Sequence, residues 1–487
     1  MNRRLCNPFG HVVLALLFGV LVLVSGCEKK VDGPEPTGEV TDAEINQWVL
    51  DSMRYYYYWS PSIPADNRLN LDQSPLSFFE TLLSKPEDRF SWIQNNEELR
   101  NSLSGIIRTS GLGVAFFRIG DNNAGAAVRF VHKGSPAEQA GIKRGDIFIR
   151  VNGELMTVQG TSVQNADALF GNEPFTVTMG VLSGGNISAG DDISLTPVEN
   201  FQEHAIHLDS IIVTPNGTKV GYIFYNRFLG QQAQDLVNVF QRFKAEGVDE
   251  LIVDERYNSG GSVEIAGLMA AMIHEGFNIN TPFIQYKFNP RFNDEELSYG
   301  DLFGAANAQV VTNVNIGLSR VFVLATGSSA SASELLINNL RPIMGEANVV
   351  HIGDTTVGKD DASITLSNSS SRFSGENDWG IQPIVIKYKN SNGVGDFVNG
   401  LTPTHAVDET IPYAPMGAGT DPLIAKALSL IDPSLQALYH QQMSVNRMRE
   451  TQYGIAELDA VNRKLQDPRP LDVTNTWGPS KKSLDIR

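Results

Sequence analysis

Cysteine is nearly absent: the 487 residues hold two, Cys6 and Cys27. Both fall within the first thirty positions, so the remainder of the chain can build no disulfide, no thiolate metal site and no cysteine nucleophile. Basic charge is also short, with 38 Lys plus Arg against 55 Asp plus Glu and a net charge of -17. No stretch gathers enough positive charge to neutralise a phosphate backbone, which argues against nucleic acid as a partner. Eight histidines are scattered without metal-ligand spacing, so neither a metal nor another cofactor is expected. The apolar run over residues 12–24 is too short to cross a bilayer, and no internal repeat is visible. What remains is an ordinary globular composition, 41% hydrophobic with 44 Gly and 23 Pro, enough chain for two to four folded pieces.

Arg3 and Arg4 precede that apolar run, and Ser25 and Gly26 follow it, the pattern of a secretory signal. Val24-Ser25-Gly26-Cys27 resembles a bacterial lipobox. The resemblance implies acylation of Cys27, a signal peptide over residues 1–26, a membrane contact through lipid, and a place in the bacterial cell envelope on the periplasmic or the surface face. Residues 27–40, charged and carrying Pro and Gly, read as a tether.

Residues 41–107 read as a helical domain. Thr41 with Glu44 fits a capping box ahead of Ile45, Trp48, Val49, Met53 and Tyr56 at helical spacing, and a second helix is expected over 75–83. The aromatic run Tyr55-Tyr56-Tyr57-Tyr58-Trp59 is read as packing in preference to a sugar platform. From Gly111 the pattern changes to short strands, with a Ser-Pro helix start at Ser135-Pro136 and a further strand within residues 145–153. The order, and the run from Ser135 to Gly153 in particular, resembles a PDZ domain over 108–182, with a second helix over 165–170 and a last strand over 175–181. Such domains add a peptide as a strand and hold its terminal carboxylate on backbone N–H groups. That resemblance makes Gly111, Leu112, Gly113 and Val114 the peptide-binding loop. The Ser183-Gly184-Gly185-Asn186 stretch is expected to hinge this domain.

Residues 187–420 alternate strand and helix as parallel crossover units require. Two loops sit where strands run into helices, the position of active sites in open α/β sheets. Residues 254–261 end in the pair Gly260-Gly261, which lets backbone N–H groups approach an oxyanion. Residues 325–334 carry Ser328, Ser329, Ser331 and Ser333 into an apolar helix. Ser331 with Glu334 fits a simple capping box as well as it fits an exposed nucleophile. A third loop, with Lys359 after Gly358, favours chemistry, because a buried lysine loses its charge and a neutral amine accepts a serine proton.

Together these residues resemble the C-terminal processing (tail-specific) serine peptidases, which join a PDZ domain to a Ser-Lys catalytic domain. The resemblance implies an α/β (α+β multidomain) fold: N-terminal helices, PDZ domain, α/β peptidase core, and a helical segment with a tail over 421–487. It assigns Ser331 as nucleophile, Lys359 as general base, and the backbone N–H groups of Ala332 and Gly260 as oxyanion donors, with Gly261 as substitute. The glutamine that follows the lysine by four positions in that family is here Ser363, which leaves Thr356, Asp360, Asp361 and Gln382 as side chains of suitable type to hold the amine. The implied substrates are unfolded polypeptides with free C-termini. The other reading from the same motifs is a peptide-binding envelope protein with an inactive catalytic fold.

Overall fold

A computed structural model describes residues 40–367, 377–464 and 471–472. The run with the capping box is helix α1 (Asp42–Tyr56), with Glu44 Oε2 accepting from Thr41 N at 2.9 Å. Ile45, Val49, Leu50 and Met53 are buried, and so are Phe78, Phe79 and Leu82 of α2 (Pro75–Leu82), in a cluster shared with the central sheet. The aromatic run serves that packing: Tyr57 is fully buried with its hydroxyl donating to Asp88 Oδ2 at 2.7 Å, while Tyr55 at the helix end stays partly exposed.

Strands β1 (Leu112–Ile119) and β2 (Asn123–Val131), helix α3 (Pro136–Gln139), and strands β3 (Ile147–Val151), β4 (Phe175–Ser183) and β5 (Asn186–Leu195) follow. They form a sheet in the order β5-β4-β3-β2-β1. Two expectations fail here. The second PDZ helix is a single 3-10 turn, Asp167–Leu169, and Asn165 lies outside it at φ 61°. Residues 183–186 are no hinge: Ser183 pairs with Asn186, and Gly184 and Gly185 (φ 58° and 83°) make the tight turn of a hairpin whose two strands stay paired.

Residues 206–406 hold a second sheet in the order β6 (Ile206–Val213), β7 (Lys219–Tyr225), β8 (Glu250–Asp254), β9 (Val321–Ala325), β10 (Val349–Gly353), β11 (His405–Ala406). Only β6 runs antiparallel to its neighbour. Both faces are covered, which is why the inner strands are apolar throughout. Ile223, Val253 and Val323 meet helices α4 (Ala233–Glu246), α5 (Val263–Ile273) and α6 (Ala332–Met344) on one side. Phe224, Ile252 and Phe322 meet α7 (Pro422–Ile431) on the other. Helix α5 is buried all round and correspondingly apolar. Helix α6 runs through Pro342. The Asn338 carbonyl, which loses its helical partner there, accepts instead from Asn390 Nδ2 at 3.0 Å.

Beyond α7 the segment is not simply helical. Helix α8 (Gln436–Tyr453) ends on Gly454 at φ 62°, and then strand β12 (Ile455–Glu457) and helix α9 (Asp459–Lys464) return to the PDZ sheet. Cys27, the signal and the tether lie outside the described residues.

Candidate active site

Three neighbouring parallel strands, β8, β9 and β10, deliver three loops to one sheet edge, and backbone bonds fasten them together. Ala330 N donates to Asn258 O at 3.1 Å, Val357 N to Ser329 O at 3.0 Å, and Glu255 N to Leu324 O at 2.8 Å. The serine segment is thereby held at both ends, and its hydroxyls have different fates. Ser329 Oγ donates to Glu255 O at 2.7 Å and Ser333 Oγ to Asn258 O at 3.0 Å. Ser331 Oγ is buried with no hydrogen-bond partner among the described residues. Its backbone sits at φ 59°, ψ -110°, a conformation costing an L residue about 1–3 kcal/mol that persists only where surroundings impose it. Such a strained strand-to-helix turn presents a hydroxyl at the tip of the loop.

Glu334 imposes it. The fully buried carboxylate accepts from Ser331 N and Lys359 N at 2.8 Å each through Oε2, and from Gly358 N at 2.6 Å and Thr356 Oγ1 at 2.5 Å through Oε1. Burial raises the pKa of Glu334, and these four donors oppose the rise without cancelling it. The capping pattern of Ser331 and Glu334 is thus real on the Glu334 side, but the carboxylate joins the serine loop to the lysine loop as well as starting a helix. Tyr388 Oη adds a second tie, lying 3.2 Å from Ser331 O and 3.1 Å from Lys359 O. Nothing in the sequence marks Tyr388, which arrives from a strand distant in the chain.

Lys359 is fully buried beside the ring of Phe90, with Nζ 4.1 Å from its centroid. Nζ donates to Asp361 Oδ1 at 2.6 Å, so the side chain holding the amine is Asp361. Burial lowers the pKa of Lys359, and the Asp361 carboxylate only partly opposes this. The other residues of suitable type are occupied elsewhere. Asp360 pairs with Lys387 at 2.6 Å, Thr356 serves Glu334, and Gln382 accepts from Ser363 Oγ at 2.6 Å. The structure brings the serine and lysine loops together without a hydrogen bond from Ser331 Oγ to Lys359 Nζ. Gly358, at φ 86°, has no room for a side chain, because a Cβ would fall 2.3 Å from Val398 O.

Gly260 packs directly on the serine: a Cβ there would lie 2.7 Å from Ser331 Cβ, and its φ is 115°. Its N–H, however, donates to Asn258 Oδ1 at 2.8 Å, so this donor must leave Asn258 before it can face an oxyanion. Ala332 is the first residue of α6, where N–H groups have no intrahelical acceptor. Behind the glycine loop stands a buried network that the sequence reading misses. Arg256 makes two bonds to Asp254, at 2.8 and 2.7 Å, and reaches Asp421 at 2.8 Å and Glu409 at 3.0 Å. Arg144 of the PDZ domain reaches the same two carboxylates, at 3.1 and 2.8 Å, and meets Tyr257 Oη at 2.8 Å.

Gly111 lies just before β1 at φ 96°, and Leu112, Gly113 and Val114 pair with Val131, Phe130 and Val128 of β2. This loop belongs to the PDZ sheet, apart from the serine and lysine loops. Among the described residues no group of three or more His, Cys, Asp or Glu side chains is placed to hold a metal ion.

Family models match three parts of the chain: the Peptidase S41 N-terminal domain over residues 44–92, a PDZ domain over 128–182, and Peptidase family S41 over 219–407. The carboxy-terminal processing protease CtpA of Bacillus subtilis is 28% identical over 270 residues, 52% of this chain and 51% of that protein. The chain therefore spans about half the length of that relative. A carboxyl-terminal-processing protease of Synechocystis is 26% identical over 465 residues, 92% of this chain and 98% of its own. Among solved structures, a putative S41 protease from Bacteroides fragilis aligns over 82% of this chain and 99% of its own with a TM-score of 0.66 at 24% identity, which speaks to the fold. The chain thus carries a Peptidase S41 N-terminal domain, a PDZ domain and a Peptidase family S41 domain in that order, and it is similar to the carboxy-terminal processing proteases.

Proposed function

We propose that the protein is a serine endopeptidase of the cell envelope, lipid-anchored through Cys27, that cleaves unfolded or C-terminally exposed polypeptides through Ser331 and Lys359. The observation that carries this reading is the Ser331 hydroxyl: buried, unpartnered, on a strained turn against Gly260, with the Lys359 loop fastened to the same Glu334 carboxylate. In the reaction, neutral Lys359 takes the hydroxyl proton as Ser331 Oγ bonds to the scissile carbonyl carbon. The N–H groups of Ala332 and Gly260 receive the oxyanion. Collapse breaks the C–N bond, the Lys359 ammonium returns its proton to the leaving amine, and water then releases the acyl group by the same steps. Lys359 on Asp361 and Gly260 N–H on Asn258 describe a resting arrangement that bound substrate reorganises.

Those same two contacts also suit the second reading, a peptide-binding protein whose catalytic fold stays idle. Incubation of the full chain with unstructured casein separates the two. Cleavage by wild type and none by Ser331→Ala is expected, with an unchanged melting temperature because Oγ bonds nothing. Equal cleavage by the variant removes Ser331 as the nucleophile and turns the test to Ser329 and Ser333, and no cleavage by either protein removes the peptidase reading. The anchor is tested by Cys27→Ser, which should move the protein from the detergent phase to the aqueous phase.

A further inference from the structure

The PDZ sheet does not end at β1. Strand β12 runs antiparallel along its outer edge, with Ile455 opposite Ile119, Ala456 opposite Arg118 and Glu457 opposite Phe117. The next backbone groups of that edge are also taken: Leu458 N donates to Phe116 O at 3.1 Å, and the Asn462 amide accepts from Phe116 N at 2.7 Å and donates to Phe116 O at 3.1 Å. Val461 is buried and Leu458 partly so among Val114, Phe116, Ala166 and Leu169, the apolar wall between β1 and the 3-10 turn. Glu457 closes the contact with an ion pair to Arg129 at 3.0 Å.

This is the edge that strand addition uses. The direction agrees as well, since residues 455–462 run antiparallel to β1 and therefore toward Leu112, as a peptide delivering its carboxylate to Gly111, Leu112, Gly113 and Val114 must. The segment also reaches loops of the second sheet. Arg463 Nη2 lies 3.7 Å from Asp354 Oδ2, and Ile455, Ala456, Glu457, Asp459, Asn462 and Arg463 line a cavity of about 350 Å3 together with Thr326, Gly327 and Ser328 at the start of the serine segment.

We propose that residues 455–462 are a built-in occupant of the PDZ peptide edge, displaced by an extended peptide with apolar side chains and a free carboxylate, so that peptide capture lifts this segment from β1 and from the mouth beside Gly327 together. The inference rests on reading the Gly111 to Val114 loop as a carboxylate site. A permanent sheet strand would make the same contacts, and exchange distinguishes the two.

The test uses the full chain and a labelled, unstructured decapeptide with apolar last residues, in free and amidated forms. Arg118→Cys with Ala456→Cys places two thiols on directly opposed residues, about 5 Å apart at Cα and within disulfide reach. Wild type under the same oxidant controls for Cys6 and Cys27. Oxidation should weaken peptide binding at least tenfold and reductant should restore it, while Asn462→Ala, which frees Phe116 N and leaves Phe116 O with Leu458 N alone, should bind at least tenfold more tightly than wild type. Unchanged binding in the oxidised chain, or no gain with Asn462→Ala, overturns the proposal. Equal binding of free and amidated peptides, with both responses kept, removes only the carboxylate reading. Absence of casein cleavage, with both responses kept, removes only the peptidase reading.

Discussion

Ser329 and Ser333 hold the loop and Ser331 does not, and that difference separates the three hydroxyls more sharply than their shared Ser-Ala spacing does. Lysine chemistry at this site depends on one neighbour in the same way. Burial favours the neutral amine of Lys359 and the Asp361 carboxylate favours the charged one. Removing that carboxylate leaves burial less opposed, so in Asp361→Asn the amine loses its proton at lower pH. The acid limb of kcat/KM against pH should therefore move to lower pH, and Lys387 keeps its partner in Asp360. A limb that stays in place or moves to higher pH contradicts Asp361 as the group holding the base. Residue type alone leaves four side chains open for this role, because which carboxylate reaches a buried amine depends on how the strand after Gly358 turns.

At the scale of elements, the junction between β9 and α6 is tied to the lysine loop by one side chain. Glu334 accepts four donors, and glutamine offers one oxygen in place of two and turns an N–H2 group toward N–H donors. Glu334→Gln should cost about 2–4 kcal/mol, from one or two buried donors left unpaired at about 1–3 kcal/mol each. Casein cleavage should fall by more than about tenfold because Ser331 and Lys359 lose their common support. A denaturant midpoint and an initial rate measure both, and a stable, fully active variant would reduce Glu334 to a helix cap. The sequence shows this glutamate as the last member of a capping box, which is correct but covers only one of its four bonds. The other three come from loop residues beyond the next strand. Strands and helices around it are legible because their apolar patterns are strong, whereas the 3-10 turn Asp167–Leu169 and the strand β12 are too short to have a period.

Across the whole molecule, the PDZ domain is joined to the glycine loop through charge. Burial by itself raises the Glu409 carboxyl, but the guanidiniums of Arg256 and Arg144 override it and hold its pKa at about 2. Arg144→Ala leaves Arg256 alone with three buried carboxylates, Asp254, Glu409 and Asp421, and should destabilise the protein by about 3 kcal/mol at neutral pH. A carboxylate whose folded pKa is depressed contributes stability that is present above its unfolded value near 4.5 and lost as pH falls toward about 2. The difference between wild type and variant should shrink over that window. Urea unfolding at pH 7 and at pH 3.5 measures it, and a difference constant with pH would dissociate Arg144 from the Glu409 charge.

Local pattern by itself determines the strand and helix alternation of residues 187–420, the helix starts at Thr41 and Ser135, the apolar parallel strands and the three loops in which chemistry is sought, because each is a matter of periodicity or of neighbouring residue types. Tertiary structure alone decides which serine hydroxyl is unpartnered, that Asp361 holds the lysine, that Asn258 holds the Gly260 N–H, that residues 183–186 turn a hairpin, and that residues 455–462 return to β1. Some of these depend on groups far apart in the chain meeting at hydrogen-bond distance, such as Asn462 and Phe116, and others, such as Lys359 with Asp361 and Gly260 with Asn258, join near neighbours whose approach depends on how a loop turns. Spacing along a sequence carries no information about such a meeting until the sheet has set the positions of its edges and loops.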